Sequence, residues 1–384
     1  MSTATAPAPV TRQESSTRPV EILGMIGTRD GSESRPASGP AIDPAYTLAF
    51  ARAHEEAGFD RILIGYGSGW PEGTQVAAYV GANTERIGLL VAHRPGFVAP
   101  TLASRLFATL DQFTGGRVAV HTITGGNDAE QRRDGDHLGH DERYDRTDEY
   151  LWVLRRAWSS SEPFGFEGRH YRFEDYAAGV LPFEERHLPL FFGGSSDAAY
   201  RVGGKHADTF MLWGEPLAET AEQIASVRAA AAAAGREAPR ISVSFRPITA
   251  PTDELAWERA HGILERIKGG PGQSFRDQRR RLLETGARPE NAGSQRLLAA
   301  AAKGDLHDRA LWTPTATAAG AGGNTTALVG SPETVAQALL DYVDIGVDTV
   351  LIRGYDPLDD VVEWGRDLLP LVRDEVARRR PAAG

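Results

Sequence analysis

The chain contains no cysteine. That excludes disulfide bridges, thiolate metal centres and cysteine nucleophiles. No apolar run approaches the ~20 residues that a membrane-spanning helix requires. Basic residues are in the minority: 42 Lys and Arg stand against 52 Asp and Glu, a formal net charge of −10. Neither a nucleic-acid clamp nor a polybasic membrane anchor is expected, although a local basic pocket is compatible with that balance. Residues 1–19 are rich in Ala, Pro, Ser and Thr and lack the apolar core of a secretory signal, while Glu14 argues against a transit peptide. They read as a disordered tail on a cytoplasmic protein.

What is present is a composition close to the globular average, 41% hydrophobic and 24% charged over 384 residues, which suits one large barrel or two ordinary domains. From Val20 onward, short apolar runs alternate with helical stretches. Asp43 followed by Pro44 marks a helix start, and Gly58 its end. Ala57–Ile64 and Ile345–Ile352 are nearly one phrase written twice, a helix end, a glycine and a continuous apolar strand. Strands are expected at Val20–Ile26, Arg61–Ile64, Ile87–Ala92, Val118–Thr122, Leu190–Phe192, Thr209–Trp213, Ile241–Ile248 and Thr349–Ile352. Continuous apolar strands imply a parallel sheet buried on both faces. Eight such units predict an α/β fold, a (β/α)8 TIM barrel over residues 20–384 with its chemistry at the C-terminal strand ends. An open doubly wound sheet is the alternative. Residues 125–141 read as a polar loop. Residues 268–327 read as an insertion whose Gly/Ala/Thr-rich part, Thr313–Thr326, would serve as a mobile lid or be an ordinary floppy segment.

Several motifs fall at strand ends. Gly193-Gly194-Ser195-Ser196-Asp197 follows a strand and opens a helix, which suits either a phosphate cradle or an ordinary capped turn. His140 and Tyr144 are four apart on one helix face, where both can donate hydrogen bonds to a phosphate or cap a solvated helix start. Thr124-Gly125-Gly126 lets a planar ligand approach the backbone or simply makes a turn. Arg94, Arg246 and Arg353 end the third, seventh and eighth strands. Together they would form a basic pocket for an anionic substrate; for any one of them, ordinary ion pairing with the many carboxylates is the better account. The spacing of Asp136, His137, His140 and Asp141 fits no metal template, so no metal is expected.

Read in order, Leu90–Pro95, Ala108–Arg117, Thr124–Gly126, Asp141–Tyr144, Phe192–Asp197, Leu212–Pro216, Thr326–Gly330 and Gly354-Tyr355 resemble the bacterial luciferase-like flavin monooxygenases, and within them the alkanesulfonate monooxygenase group. The resemblance implies a two-component enzyme: reduced FMN arrives from an NAD(P)H-dependent flavin reductase, reacts with O2 to give a flavin (hydro)peroxide, and a carbon–sulfur bond of a small anionic substrate is cleaved to aldehyde and sulfite. By matching position, Gly194, Ser195, Ser196 and Tyr144 would hold the FMN phosphate with His140 nearby, and Thr124 and Gly125 would lie near the flavin. Tyr355, Arg246 and Arg353 would be catalytic, and Arg94, Trp70 and Trp213 would meet the substrate. A homodimer or homotetramer is implied as well. The chain departs from the group's pattern in three places. Trp70 is the nearest match to a cysteine, Ser244-Phe245-Arg246 replaces an Arg-x-His pair, and Ala316–Asn324 holds no lid arginine. Two other readings share the barrel, a deazaflavin-dependent dehydrogenase and a flavin-binding protein without turnover.

Overall fold

The structure, a computed structural model, describes residues 19–185, 187–269, 289–323 and 325–379. The tail expected over residues 1–19 lies, apart from Pro19, outside the described residues, as does the 270–288 part of the insertion. The strands are β1 (Glu21–Ile26), β2 (Arg61–Ile64), β3 (Gly88–His93), β4 (Val118–Thr122), β5 (Phe164–Glu167), β6 (Arg172–Tyr176), β7 (Leu190–Gly193), β8 (Thr209–Trp213), β9 (Arg240–Thr249), β10 (Leu306–His307), β11 (Leu311–Trp312), β12 (Ala327–Gly330) and β13 (Thr349–Ile352). The helices are α1 (Pro44–Glu56), α2 (Gly73–Gly81), α3 (Pro100–Phe113), α4 (Asp128–Arg133), α5 (His140–Ser159), α6 (Asp197–His206), α7 (Leu217–Ala233), α8 (Asp253–Gly269), α9 (Ala292–Lys303), α10 (Pro314–Ala318), α11 (Pro332–Asp344), α12 (Pro357–Asp367) and α13 (Leu369–Arg379).

Eight parallel strands close on themselves in the order β1-β2-β3-β4-β7-β8-β9-β13, with β13 returning to β1 and β8 pairing with β9. The sheet is therefore a closed barrel, not the open doubly wound alternative. These are the eight strands expected from the sequence, and the repeated phrase at Ala57–Ile64 and Ile345–Ile352 leads into β2 and β13 in the same way. Asp43 caps α1, its carboxylate accepting from the Tyr46 amide at 3.0 Å, and Ser331 caps α11 in front of Pro332.

Alternation divides each strand between two cores. The outward residues, such as Ile22, Ile62, Val91, Val120 and Phe192, pack against the helices in a single large cluster. The inward residues Leu23, Leu63, Leu90, Ala119, Phe191, Met211 and Leu351 fill the barrel lumen as a separate cluster. A filled lumen leaves room for a ligand only above this layer, at the strand C-termini.

Three features lie outside the eightfold plan. The β5–β6 hairpin packs its aromatic side chains on one another, Phe164 on Phe173 at 5.5 Å. The 125–141 loop contains α4, capped by Asn127 accepting from the Glu130 amide at 2.8 Å, with acids in its first turn and arginines in its last. The insertion adds β10, β11 and β12, and β12 pairs in parallel with the outer half of β9, Ala327 opposite Arg246. The Gly/Ala/Thr-rich segment is packed over 313–323: Thr315, Ala316, Ala319 and Ala321 are buried there, because their small side chains fit a narrow space beside α8.

Candidate active site

A cavity of about 320 Å³ opens at the C-terminal ends of the barrel strands. Strand alternation explains its lining. The residue one step further out than each filled lumen position reaches it: Gly65 beyond Leu63, Ala92 and Arg94 beyond Leu90, His121 and Ile123 beyond Ala119, Gly193 beyond Phe191, Trp213 beyond Met211, Arg353 beyond Leu351. Ten of the predicted site residues meet here: Thr124, Gly125, His140, Tyr144, Gly194, Ser195, Ser196, Arg94, Trp70 and Trp213 all line this cavity, with Arg353 beside them.

One wall is built of neutral hydrogen-bonding groups. Ser196 is the N-cap of α6, its hydroxyl accepting from the Ala199 amide at 3.2 Å. The amides of the following residues have no partner within the helix, as at any helix start, and the dipole favours an anion there. Gly194 has φ +152°, and a Cβ on it would stand 2.5 Å from the Ala199 Cβ and 3.0 Å from the Tyr144 hydroxyl oxygen. Only glycine lets the turn and the tyrosine come so close. Burial raises the Tyr144 pKa, and the Ser196 hydroxyl opposes that rise by hydrogen bonding to it. The His140 ring stands 4.9 Å from the Tyr144 ring, one helical turn before it. Arg143, whose side chain is buried, donates to the Leu138 carbonyl at 2.6 Å and pairs with Asp128 at 2.8 Å, so the 125–138 segment is tied to α5. Small glycines, two serine hydroxyls, free amides and a tyrosine hydroxyl suit a phosphate group.

The arginines come from other strand ends, β3, β9 and β13, and their charges face carboxylates. Arg94 pairs with Glu130 at 3.2 Å and Asp134 at 3.7 Å, and stacks 4.4 Å over the Tyr66 ring. Tyr66 and Ser68 also donate to Asp134, at 3.0 and 2.8 Å, which holds the segment bearing Trp70 against α4. Arg246 does not reach the cavity as its place late in the seventh strand led one to expect. Ser244 lines the space, but beyond Phe245 strand β9 leaves β13 and pairs with β12, carrying Arg246 behind the wall. There Arg246 is fully buried, bonded to Glu33 at 2.9 Å and to the Gly354 carbonyl at 2.7 Å, with its guanidinium 3.9 Å over the Tyr355 ring. Tyr355 is likewise buried behind the lining, and its hydroxyl has no hydrogen-bond partner among the described residues. Arg353 borders the cavity and faces Glu33 at 3.5 Å. Burial and then the Arg246 guanidinium press its pKa down to about 9, a fall that Tyr355 and Tyr46 oppose.

Sequence reasoning passed over three contributors. Glu33 sits in the segment after β1, far along the chain from its partners. His121 lies in a strand that was identified, and its inward position follows from Ala119 two residues earlier; it lines the cavity, makes no hydrogen bond among the described residues, and burial lowers its pKa to about 4. Asn291, Ala292 and Gly293, at the start of α9, cover the cavity from the insertion, and a Cβ on Gly293 would lie 2.8 Å from the Trp213 ring. Among the described residues no helix is long and apolar enough to cross a membrane, and no group of three acids or histidines is placed to hold a metal ion.

The molecule is thus a closed (β/α)8 barrel with a cavity at its C-terminal rim, beside a turn of glycines and serines. The chain belongs to the luciferase-like monooxygenase family, which its residues 21–349 match. Solved structures share the fold. A riboflavin lyase, RcaE, determined with modified FMN and the substrate riboflavin, superposes with a TM-score of 0.75 at 19% identity, covering 96% of this chain and 93% of that one. The EDTA monooxygenase EmoA from Chelativorans sp. BNC1 superposes at 0.73 with 18% identity, covering 96% of each chain. An F420-dependent secondary alcohol dehydrogenase, in complex with an F420–acetone adduct, superposes at 0.67 with 16% identity, covering 93% of this chain and all of the other.

Proposed function

We propose that the protein is the oxygenating component of a two-component monooxygenase, taking reduced FMN from a separate NAD(P)H-dependent flavin reductase and using O2 to oxygenate a small organic substrate in the barrel lumen. The observation that carries this reading is the convergence of the Gly193–Ser196 turn and the Tyr144 hydroxyl on one wall of an apolar-floored cavity, in a chain of this family. Ser195, Ser196, the Gly194 turn and Tyr144 would hold the FMN phosphate, with His140 beside them, and Thr124 and Gly125 would flank the flavin. Reduced flavin, when bound, supplies the activation of O2.

The chain's own residues would do the rest. Met25, Leu63, Ala92, Met211 and Leu351 give the cavity a dry floor, which keeps water from the reacting centre. Trp213, backed by Gly293, and Trp70 would position the substrate, and Arg353 would polarise it. His121 is neutral at pH 7 and can accept or donate one proton at the cavity wall. Alkanesulfonate cleavage to aldehyde and sulfite is one substrate reading. It requires a cation with charge to spare, and Arg94 and Arg353 at the rim, with Arg246 behind it, already face three carboxylates.

The test combines the protein with FMN, a flavin reductase, NADH, O2 and a panel of sulfonates, sulfones, amines and alkanes. An oxygenated product, detected by mass and dependent on both FMN and reductase, is expected. Oxygen consumption unchanged by the protein across the panel would sink the reading. Anaerobic reduction of F420 by an alcohol would point to hydride transfer instead, the reading favoured by the dehydrogenase that shares the fold. Light scattering would show whether the working unit is the proposed homodimer or homotetramer.

A further inference from the structure

Glu33 lies on the long segment between β1 and α1, and its carboxylate sits between Arg246, behind the cavity wall, and Arg353, at its edge. One oxygen meets Arg246 at 2.9 Å and the other faces Arg353 at 3.5 Å, and its side chain is only 4% exposed. The segment that carries it is fixed by its own contacts. The Ser32 amide donates to the Arg35 carbonyl at 2.8 Å, Arg35 pairs with Asp30 at 2.6 Å, and the Asp43 amide closes the base of the loop on the Thr28 carbonyl at 2.7 Å. The carboxylate is thus held against both guanidiniums and does not hang there from a free chain.

A sulfonate or carboxylate entering the lumen would seek a guanidinium whose charge faces the cavity. Arg246 is behind the wall, and Arg353 already faces Glu33. Arg94 answers to Glu130 and Asp134. Three cations are therefore set against three carboxylates. Stripping water from an anionic substrate is repaid only by charge left uncompensated in the site. We propose that Glu33 is a specificity-determining residue: it fills the anion position with the protein's own carboxylate, so the pocket takes a substrate without a negative charge. That role presupposes the monooxygenase reading above, in which the lumen cavity takes the substrate.

Removing the charge of Glu33 would leave two buried guanidiniums facing one another with no carboxylate between them, and such a pair recruits an anion. The test is calorimetric titration of methanesulfonate into the full chain, with no flavin and no turnover. The unmodified protein is expected to show no binding tighter than about 1 mM. Glu33→Gln is expected to bind methanesulfonate at least tenfold more tightly, and Glu33→Gln combined with Arg353→Met to lose that gain. Saturable binding by the unmodified protein below about 1 mM would overturn the proposal. So would a folded Glu33→Gln variant with unchanged affinity. Should Glu33→Gln fail to fold, the unmodified protein's titration still decides, because it needs no variant. Failure of the monooxygenase reading would show separately, as FMN-driven oxygen consumption without product, and would leave these titrations standing.

Discussion

The two walls of the cavity are built on opposite terms. On the cradle wall the groups are neutral, and several are left without internal partners: the Ser195 hydroxyl makes no hydrogen bond among the described residues, and the first amides of α6 point away from their own helix. On the arginine wall the groups carry full charge, yet each charge is met: Arg94 by Glu130 and Asp134, Arg246 and Arg353 by Glu33. Formal charge in a sequence therefore says little about where a ligand's charge will be welcomed. What counts is whether a group's charge and donors are already answered by the fold, and the arginines face carboxylates while the cradle donors face the cavity.

The largest effect expected from this contrast is structural. Arg246→Met removes one half of a fully buried ion pair, and breaking such a pair from one side costs about 3–5 kcal/mol of stability. A denaturant titration measures it. A loss below about 1 kcal/mol, accompanied by loss of turnover, would make Arg246 a ligand contact and erase the distinction between the walls.

His121 stands on the lumen between the walls, and its titration comes next. Burial holds its folded pKa at about 4, below the ordinary value of 6.5. A depressed histidine favours the folded state fully above pH 6.5, and that contribution is lost as pH falls toward 4. The loss is at most about 3.4 kcal/mol, since each tenfold change in proton affinity is worth about 1.4 kcal/mol. His121→Gln should flatten this part of the pH–stability curve, and an unchanged slope would mean that His121 is hydrated in the cavity.

The cradle wall gives the next two effects, read by FMN titration. Gly194→Val must place a side chain at φ +152° and into the space between Ala199 and Tyr144. FMN affinity should fall about a hundredfold, close to 2.8 kcal/mol. The double change of Ser195 and Ser196 to Ala should cost about tenfold, the low end for hydrogen bonds to a charged group, because both serines are half-exposed and water can replace them. Unchanged affinity in either case would move the phosphate elsewhere.

The barrel was legible because its strands are continuous β-branched or apolar runs closed off by glycine and proline. Arg61–Ile64, Val118–Thr122, Thr209–Trp213 and Thr349–Ile352 have the same bounds in the sequence reading and in the fold. The cradle was legible because its residues are consecutive. The arginine wall was not, for a physical reason: Glu33 meets Arg246 across 213 residues, and no local pattern records such a contact. The position of Arg246 does not follow from strand alternation, because β9 passes from β13 to β12 at that residue. The β5–β6 hairpin has no strand partner outside itself, and its aromatic residues pack on one another and on Trp152 of α5, so it carries no apolar run of the barrel kind.

The smallest effect is expected at Tyr355. By sequence this residue matches an active-site tyrosine, yet its hydroxyl is buried without a partner and lies outside the cavity lining. Its ring, 3.9 Å beneath the Arg246 guanidinium, belongs to the arginine wall and helps to hold that charge in place. Tyr355→Phe keeps the ring and removes only the hydroxyl, so stability should change by less than about 1 kcal/mol. FMN affinity and FMN-dependent turnover should stay within about twofold, roughly 0.4 kcal/mol. Tyr355→Leu, which removes the ring, should instead destabilise the protein by about 2 kcal/mol, mainly through lost packing against Arg246. A hundredfold fall in turnover for Tyr355→Phe, with the fold intact, would show that the hydroxyl reaches the reacting atoms once the site is filled. The arginine wall would then have to open toward the cavity during turnover, exchanging the Glu33 contact for a substrate.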